Sequence, residues 1–331
     1  MQEERCMFQH ILVPLDGSER AEQALSVAMR LARASGGSLI LVRVADTFSE
    51  FRMYSPRTAI YLQKLMEKDL KDSQIYLART AHACKQEGVA VRIAVFTGQA
   101  AEQILDVAHT QGSDLIVLCS HGYTGFKRWA LGSVTQKVIR HSQIPVLLLR
   151  EQQGNALSQT GRPLRATVAL DGSPLAEAAL LPAAHLVTAL SLPAEGELHL
   201  LQLVHLPTLE EEWNLLLNAE FDFRQAALLE AGRSLQDMRT RFLQSFSEKP
   251  GFRLTCSVEE CNDVAARLIE IVEKGEGIGT SQASDLLALT TRGYGGIRRY
   301  LLGSVTERVI HGSTLPLLVV HPSPTEEKKA V

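Results

Sequence analysis

Two loops of this 331-residue chain combine glycine, serine and paired cations at one spacing: CSHGYTGFKRWALGSVTQ over residues 119–136 and TTRGYGGIRRYLLGSVTE over 290–307. Each holds a glycine, nine residues and then Gly-Ser, which sets Gly122 with Gly132 and Gly293 with Gly303. Glycine lets the backbone approach a ligand with no side chain between them, and the second glycine of each pair opens a helix. Ser133 with Gln136, and Ser304 with Glu307, stand at capping-box spacing, which predicts that each helix begins at its serine. Unpaired N–H groups and the positive end of the helix dipole then face the loop, and the chemistry they suit is anion binding, above all of phosphate. Plain turn glycines are the alternative, and the recurrence of Gly-Ser at a helix start weighs against it. Lys127-Arg128 and Arg298-Arg299 occupy one register in the two spacers, either to screen a polyphosphate or as solvated loop charges.

A nucleotide also needs a polar group at its base. Asp16 and Asp171 each close a first strand, at the sheet edge that carries the glycine loops, and either read a base or make an Asx turn before Gly-Ser. The ends of the second strands, Val44 and Leu203, offer an apolar wall or plain core. Other chemistries find no support. The chain has no GxxxxGK[ST] loop and no GxGxxG after a first strand. His121 aligns with Arg292, which argues against a general base shared by both loops, and no Ser-His-Asp set can be chosen. Cys6, Cys84, Cys119, Cys256 and Cys261 form no CxxC pair and read as reduced, mostly buried thiols.

The elements that must position these residues come in two copies. ILVPLDGSERAEQAL at 11–25 returns as ATVALDGSPLAEAAL at 166–180, and GSVTQKVI at 132–139 returns as GSVTERVI at 303–310. The copies span residues 1–150 and 163–322, with a polar linker at 151–162 and a frayed tail at 323–331. Two insertions lengthen the second copy, one after its second strand and one reading KGEGIGTSQAS before Asp285. Short apolar runs alternating with helical periodicity predict parallel strands near 10–15, 38–44, 90–96, 114–119 and 144–149, then 165–170, 198–204, 252–258, 285–290 and 315–320. Ser173 reads as the N-cap of the first helix of the second copy, with Pro174 at its first position. Right-handed crossovers then give each copy a five-stranded, doubly wound α/β sheet with ligands expected where the strand order reverses.

Composition excludes whole classes of function. The chain is 45% hydrophobic and 21% charged, which suits a folded soluble protein. A net charge of −3 gives no positive field for unspecific nucleic-acid binding, and 5% aromatic residues make stacking platforms scarce. No apolar run has spanning length and the start lacks the apolar core of a secretory signal, so neither a membrane nor export is expected and the cytoplasm is.

The tandem arrangement, the PLDGS and ALDGS turns, the HG-x9-GS and RG-x9-GS loops and the terminal IPVLLL and LPLLVV strands resemble the universal stress protein family, twice over nearly the whole chain. The resemblance implies a Rossmann-like α/β sandwich. It also implies a bound ATP or other adenine nucleotide, with Mg2+ as an admissible companion, in members carrying G-x2-G-x9-G-[ST]. Carried across, adenine falls to Asp16 and Val44, and ribose and phosphates to the loop of Cys119, His121, Gly122, Gly132, Ser133 and Val134. The second copy offers Asp171, Leu203, Thr290, Arg292, Gly293, Gly303, Ser304 and Val305. Both copies depart from the pattern at its first glycine, where Cys119 and Thr290 stand, and a Cβ there would crowd the ribose. Asn262 replaces the Gly98 of the first copy, whose site is therefore the favoured one. Family members pair through the fifth strand, which implies an intrachain pseudo-dimer and admits a homodimer. The expectation is a stress-response binding module with no assigned catalytic base. The alternatives are a nucleotide-free interaction protein and a slow ATPase.

Overall fold

The computed structural model describes residues 7–45, 56–120, 131–150, 156–205, 223–246, 250–275, 277, 282–293 and 302–322, with the side chains of 56–62, 156 and 223 outside that description. The chain divides into two compact units, Met1–Ser158 and Gln159–Val331.

In the first unit β1 (His10–Pro14), α1 (Glu19–Ser35), β2 (Ser38–Ala45), α2 (Pro56–Gln86), β3 (Ala90–Thr97), α3 (Ala100–Thr110), β4 (Leu115–Cys119), α4 (Ser133–His141) and β5 (Val146–Leu149) follow in order. The strands are parallel in the order β3-β2-β1-β4-β5. Their sequences are near-continuous apolar runs because both faces are covered by crossover helices: Ile11, Leu12, Val13, Leu39, Leu41, Leu115, Ile116, Val146 and Leu147 are all fully buried. Helix α1 starts where Ser18 in extended conformation accepts a hydrogen bond from Ala21 N–H, and it stops at Gly36, whose left-handed φ of 68° no branched residue would adopt cheaply.

The second unit repeats the plan with β6 (Arg165–Leu170), α5 (Leu180–Ser191), β7 (Gly196–His205), α6 (Phe223–Gln244), β8 (Phe252–Cys261), α7 (Val264–Lys274), β9 (Leu286–Thr290), α8 (Ser304–Gly312) and β10 (Leu317–Val320). Its parallel order is β8-β7-β6-β9-β10. One expectation is corrected here. Ser173 Oγ accepts from Ala176 N–H at 3.2 Å but is not the helix cap: a 3-10 turn over Ala176–Ala179 has Leu175 as its N-cap, and the α-helix begins only at Leu180. Pro182 is the reason: its ring excludes the carbonyl four residues back and it has no N–H, so it is accommodated only in the first turn of an α-helix.

In each unit the chain runs outward from the first strand and then returns to place the fourth strand on its other side. The loops after β1 and β4, and after β6 and β9, are therefore neighbours at the carboxyl edge, where such sheets form a crevice. Among the described residues, no helix is long and apolar enough to cross a membrane.

Candidate functional site

The crevice of each unit begins with a tight polar turn. Asp16 Oδ1 accepts from Ser18 N–H at 2.9 Å and from Ser18 Oγ at 2.6 Å. Asp171 repeats this with Ser173 at the same two distances. Gly17 and Gly172 between them hold φ of 86° and 83°, which makes glycine the natural residue at the centre of the turn. The Asx turn is therefore real, and it leaves both aspartates exposed at the carboxyl edge, so the turn and the base-reading roles are compatible.

The second wall is the start of α4 and α8. The N-caps are Gly132 and Gly303, extended at φ −60° and −62°, with no side-chain cap bond. Here the capping-box expectation is corrected. Ser133 and Ser304 are the first helical residues rather than the caps, so the serine hydroxyl is out of register for the third amide. The first helical hydrogen bonds run from Gln136 N–H to Gly132 O and from Glu307 N–H to Gly303 O, each 2.9 Å. Among the described residues, the N–H groups of Ser133, Val134 and Thr135, and of Ser304, Val305 and Thr306, form no hydrogen bond. Ser133, Val134 and Ser304 are exposed and Val305 is half-buried, so these donors open to the crevice.

Threonines lock the helix starts to the strands. Thr135 Oγ donates to Cys119 O at 3.1 Å and Thr306 Oγ donates to Thr290 O at 2.8 Å. Gly132 N–H and Gly303 N–H donate to Ser120 O and Thr291 O at 2.9 and 2.8 Å. A Cβ on Gly132 would stand 3.3 Å from Ser120 O, so the second glycine of the motif is also a close backbone approach. The residues standing for the first motif glycine turn to protein carbonyls: Cys119 Sγ donates to Arg20 O at 2.9 Å and Thr290 Oγ to Arg292 O at 2.6 Å.

Of the residues singled out in the sequence, the structure brings Asp171 and Gly293 together. A Cβ on Gly293 would overlap the Asp171 carboxylate, standing 2.8 Å from its Cγ, so the first-strand aspartate rests on the glycine loop. Val44 and Leu203 are half-buried near the ends of β2 and β7. Arg292 is half-buried at the start of its loop. His121, Gly122, Lys127-Arg128 and Arg298-Arg299 lie outside the described residues.

Two further residues reach the same edge. A Cβ on Gly17 would lie 2.6 Å from Arg43 Nη1, and one on Gly172 would lie 3.0 Å from Gln202 Nε2. Arg43 and Gln202 immediately precede Val44 and Leu203, so equivalent nitrogens cover the turn glycine in both units. The Arg43 guanidinium lies over the Tyr76 ring, 5.2 Å from its centroid, and 4.0 Å from Asp69 Oδ1. Tyr76 in turn donates to Glu22 Oε1 at 2.8 Å, and burial together with that bond pushes its hydroxyl pKa upward, keeping it a donor. Arg43 is the one charged residue of SLILVRVA, whereas Gln202 shares GELHLLQLVH with Glu197, His199 and His205, so only Arg43 stood out in the sequence.

Among the described residues, no group of three or more His, Cys, Asp and Glu side chains is placed to hold a metal ion. What the crevice offers is unpaired amides at a helix start, an aspartate turn and a nitrogen-bearing side chain.

A family model described as the Universal stress protein family matches residues 7–150 and again 164–321. The universal stress protein YxiE of Bacillus subtilis is 31% identical over 150 residues, covering 44% of this chain and 100% of its own length. A universal stress protein of Thermus aquaticus is 31% identical over 144 residues, again 44% of this chain and 100% of its own. At the level of fold, the crystal structure of a universal stress protein from Archaeoglobus fulgidus superposes with a TM-score of 0.62 at 20% identity, covering 97% of this chain and 99% of that one.

Proposed function

The chain belongs to the universal stress protein family, in two tandem copies, and from that premise we propose that it is a cytoplasmic regulatory module that binds ATP or a related adenine nucleotide. The observation that carries the reading is the pair of helix starts, where glycine N-caps leave the amides of Ser133, Val134 and Thr135, and of Ser304, Val305 and Thr306, unfastened. Such amides, aligned with a helix dipole, are suited to phosphate oxygens. The base then lies toward Asp16 or Asp171 and the ends of β2 or β7. No residue is assigned as a general base, so the role is binding. A Mg2+ accompanying the nucleotide would be held by its phosphates.

A nucleotide-free role in protein interaction is the second reading, and Cys119 and Thr290 favour it, since each carries a Cβ where the family pattern has glycine. Calorimetric titration of the full chain with ATP, ADP and AMP separates the two. ATP should bind, and the double variant Gly132→Asp with Gly303→Asp should bind none. Aspartate is itself a good N-cap, so it would satisfy the free amides from within and repel phosphate while the helices stay folded. Nucleotide affinity unchanged in that variant would remove the proposed site.

A further inference from the structure

Each unit leaves one third strand open. Among the described residues, β3 (Ala90–Thr97) pairs with β2 alone and β8 (Phe252–Cys261) with β7 alone. A strand so placed presents a row of unpaired N–H and C=O groups on its free side. No backbone group of residues 90–97 is bonded outside the ladder with β2 among the described residues.

The two edges differ in what guards them. Charged side chains ordinarily blunt such an edge. On β8, Arg253 pairs with Glu197 and Glu260 pairs with Arg224, and both arginines are largely exposed. The eight residues of β3 read AVRIAVFT, with Arg92 as their one charge. Arg92 is drawn aside, its Nη1 donating to Gln111 Oε1 at 3.3 Å at the C-terminal end of α3. The other residues offer apolar surface on both faces. Val91, Ile93 and Val95 share the face of Arg43, on which α2 lies, and Ala94 and Phe96 share the face of Arg92. Helix α2 buries Val91, but its cover thins along the strand: Ile93 is 44% exposed, and Ala94, Val95 and Phe96 are half-buried. A long apolar edge left this open invites another strand.

We propose that β3 is a dimer interface, on which β3 of a second copy of this chain is added antiparallel across a twofold axis. It is the edge at the far side of the unit from β5. The occupant follows from the strand itself. What the edge needs is a second row of unpaired amides and carbonyls, apolar on both faces and with little charge to desolvate, and β3 of another copy is such a row. Directly opposed side chains lie on one face of a sheet, so the axis passes at a residue and not between two. Centred on Ile93, it sets Ile93 against its own counterpart, Val91 against Val95, Ala90 against Phe96 and Arg92 against Ala94. Aliphatic groups then meet on the α2 face, and the one charge never stands opposite itself. The contact is isologous, so it closes at two copies and leaves no β3 edge free.

Strand β8 of another copy is the competing occupant. Its guarding ion pairs would lose water with nothing on β3 to meet them, and a contact of β3 on β8 is head-to-tail, so copies would go on adding. The interface needs no nucleotide and stands apart from the crevices.

Sedimentation velocity of the full chain across micromolar concentrations tests it. The parent chain should form a reversible dimer. Ile93→Lys, at a position already open to water, should leave circular dichroism unchanged and weaken the dimer about tenfold or more, because two ammonium groups would then oppose each other. Leu192→Lys, at another leucine 50% exposed, should leave the dimer as it is. Ile93→Cys should give more disulfide-linked dimer on mild oxidation than the parent chain does, since opposed residues of antiparallel strands bring their Cα atoms to about 4.5–5.5 Å, within disulfide range. Should Ile93→Lys fail to fold, that cross-link decides, and its absence overturns the interface. A parent chain that stays monomeric, a dimer that Ile93→Lys leaves intact, or assemblies that keep growing with concentration would each overturn it as well.

Discussion

At the scale of single residues, the crevice is defined by what glycine permits. Gly17 holds a left-handed φ of 86° beneath the Arg43 guanidinium. Gly17→Ala should cost about 1–2 kcal/mol from the backbone conformation alone, read as a lower denaturation midpoint, because an L residue pays that much in this region. Gly36→Ala is the control for strain without crowding, since its φ is also positive and nothing lies within 4 Å of a Cβ there. Gly293 is different: its backbone is ordinary, but a Cβ would occupy the Asp171 carboxylate. Gly293→Ala should therefore push Asp171 off the loop and weaken nucleotide binding to the second copy while leaving the first unchanged, as titration of Gly132→Asp and Gly303→Asp chains carrying it would show. The aspartates and glycines were legible in the sequence because their types are demanded by local geometry. Arg43 stood out only as a charge in an apolar strand and Gln202 not at all, since what places them at the site is an approach from one strand to the turn after another, which no local pattern encodes.

Among the elements, strands were the easiest to read. Parallel strands covered on both sides leave uninterrupted apolar runs, and runs such as ATVAL and LLALT stand out from helical periodicity. Helix starts were harder. Gly-Ser admits either residue as the cap, and the chain uses the glycine, while Pro182 delays α5 past the turn in which Ser173 accepts from Ala176 N–H. The bonds from Thr135 and Thr306 to the last carbonyls of β4 and β9 hold the helix starts at the sheet edge. Thr306→Val, which keeps the shape and removes the hydroxyl, should cost about 1 kcal/mol in stability and loosen nucleotide binding to the second copy. Strand β7 contributes a titrating element of its own. His199 is buried with its ring nitrogens within 2.9 Å of Thr255 Oγ and Ser257 Oγ. Burial, helped by Arg165 and opposed by Glu197, brings its pKa from 6.5 down to about 4. The unfolded chain takes up a proton near 6.5 and the folded unit only near 4, so stability falls as pH drops between those values and levels below them. The loss approaches about 3 kcal/mol. Urea unfolding from pH 7.5 to pH 4 should show it, and His199→Gln should flatten the slope.

For the whole molecule, duplication gives two compact units, each with its own crevice. Ligand linkage then acts on each. Nucleotide at about a hundred times its Kd should raise the stability of an occupied unit by about 2.7 kcal/mol, and closing one crevice should confine that gain to the other unit, which differential scanning calorimetry would resolve. The near-balanced charge of −3 leads to a further expectation, that duplex DNA is not retained at physiological salt. The bare glycine caps of α4 and α8 mean that these helices are unfinished on their own. At α1 and α7 a side chain completes the job, Ser18 and Asp263 respectively, whereas α3 and α5 also lack a side-chain cap bond. At α4 and α8 an arriving anion would be the missing cap, so amide hydrogen exchange at residues 133–135 and 304–306 should slow when nucleotide is added, and occupancy would be felt as stiffening of two fraying helix ends.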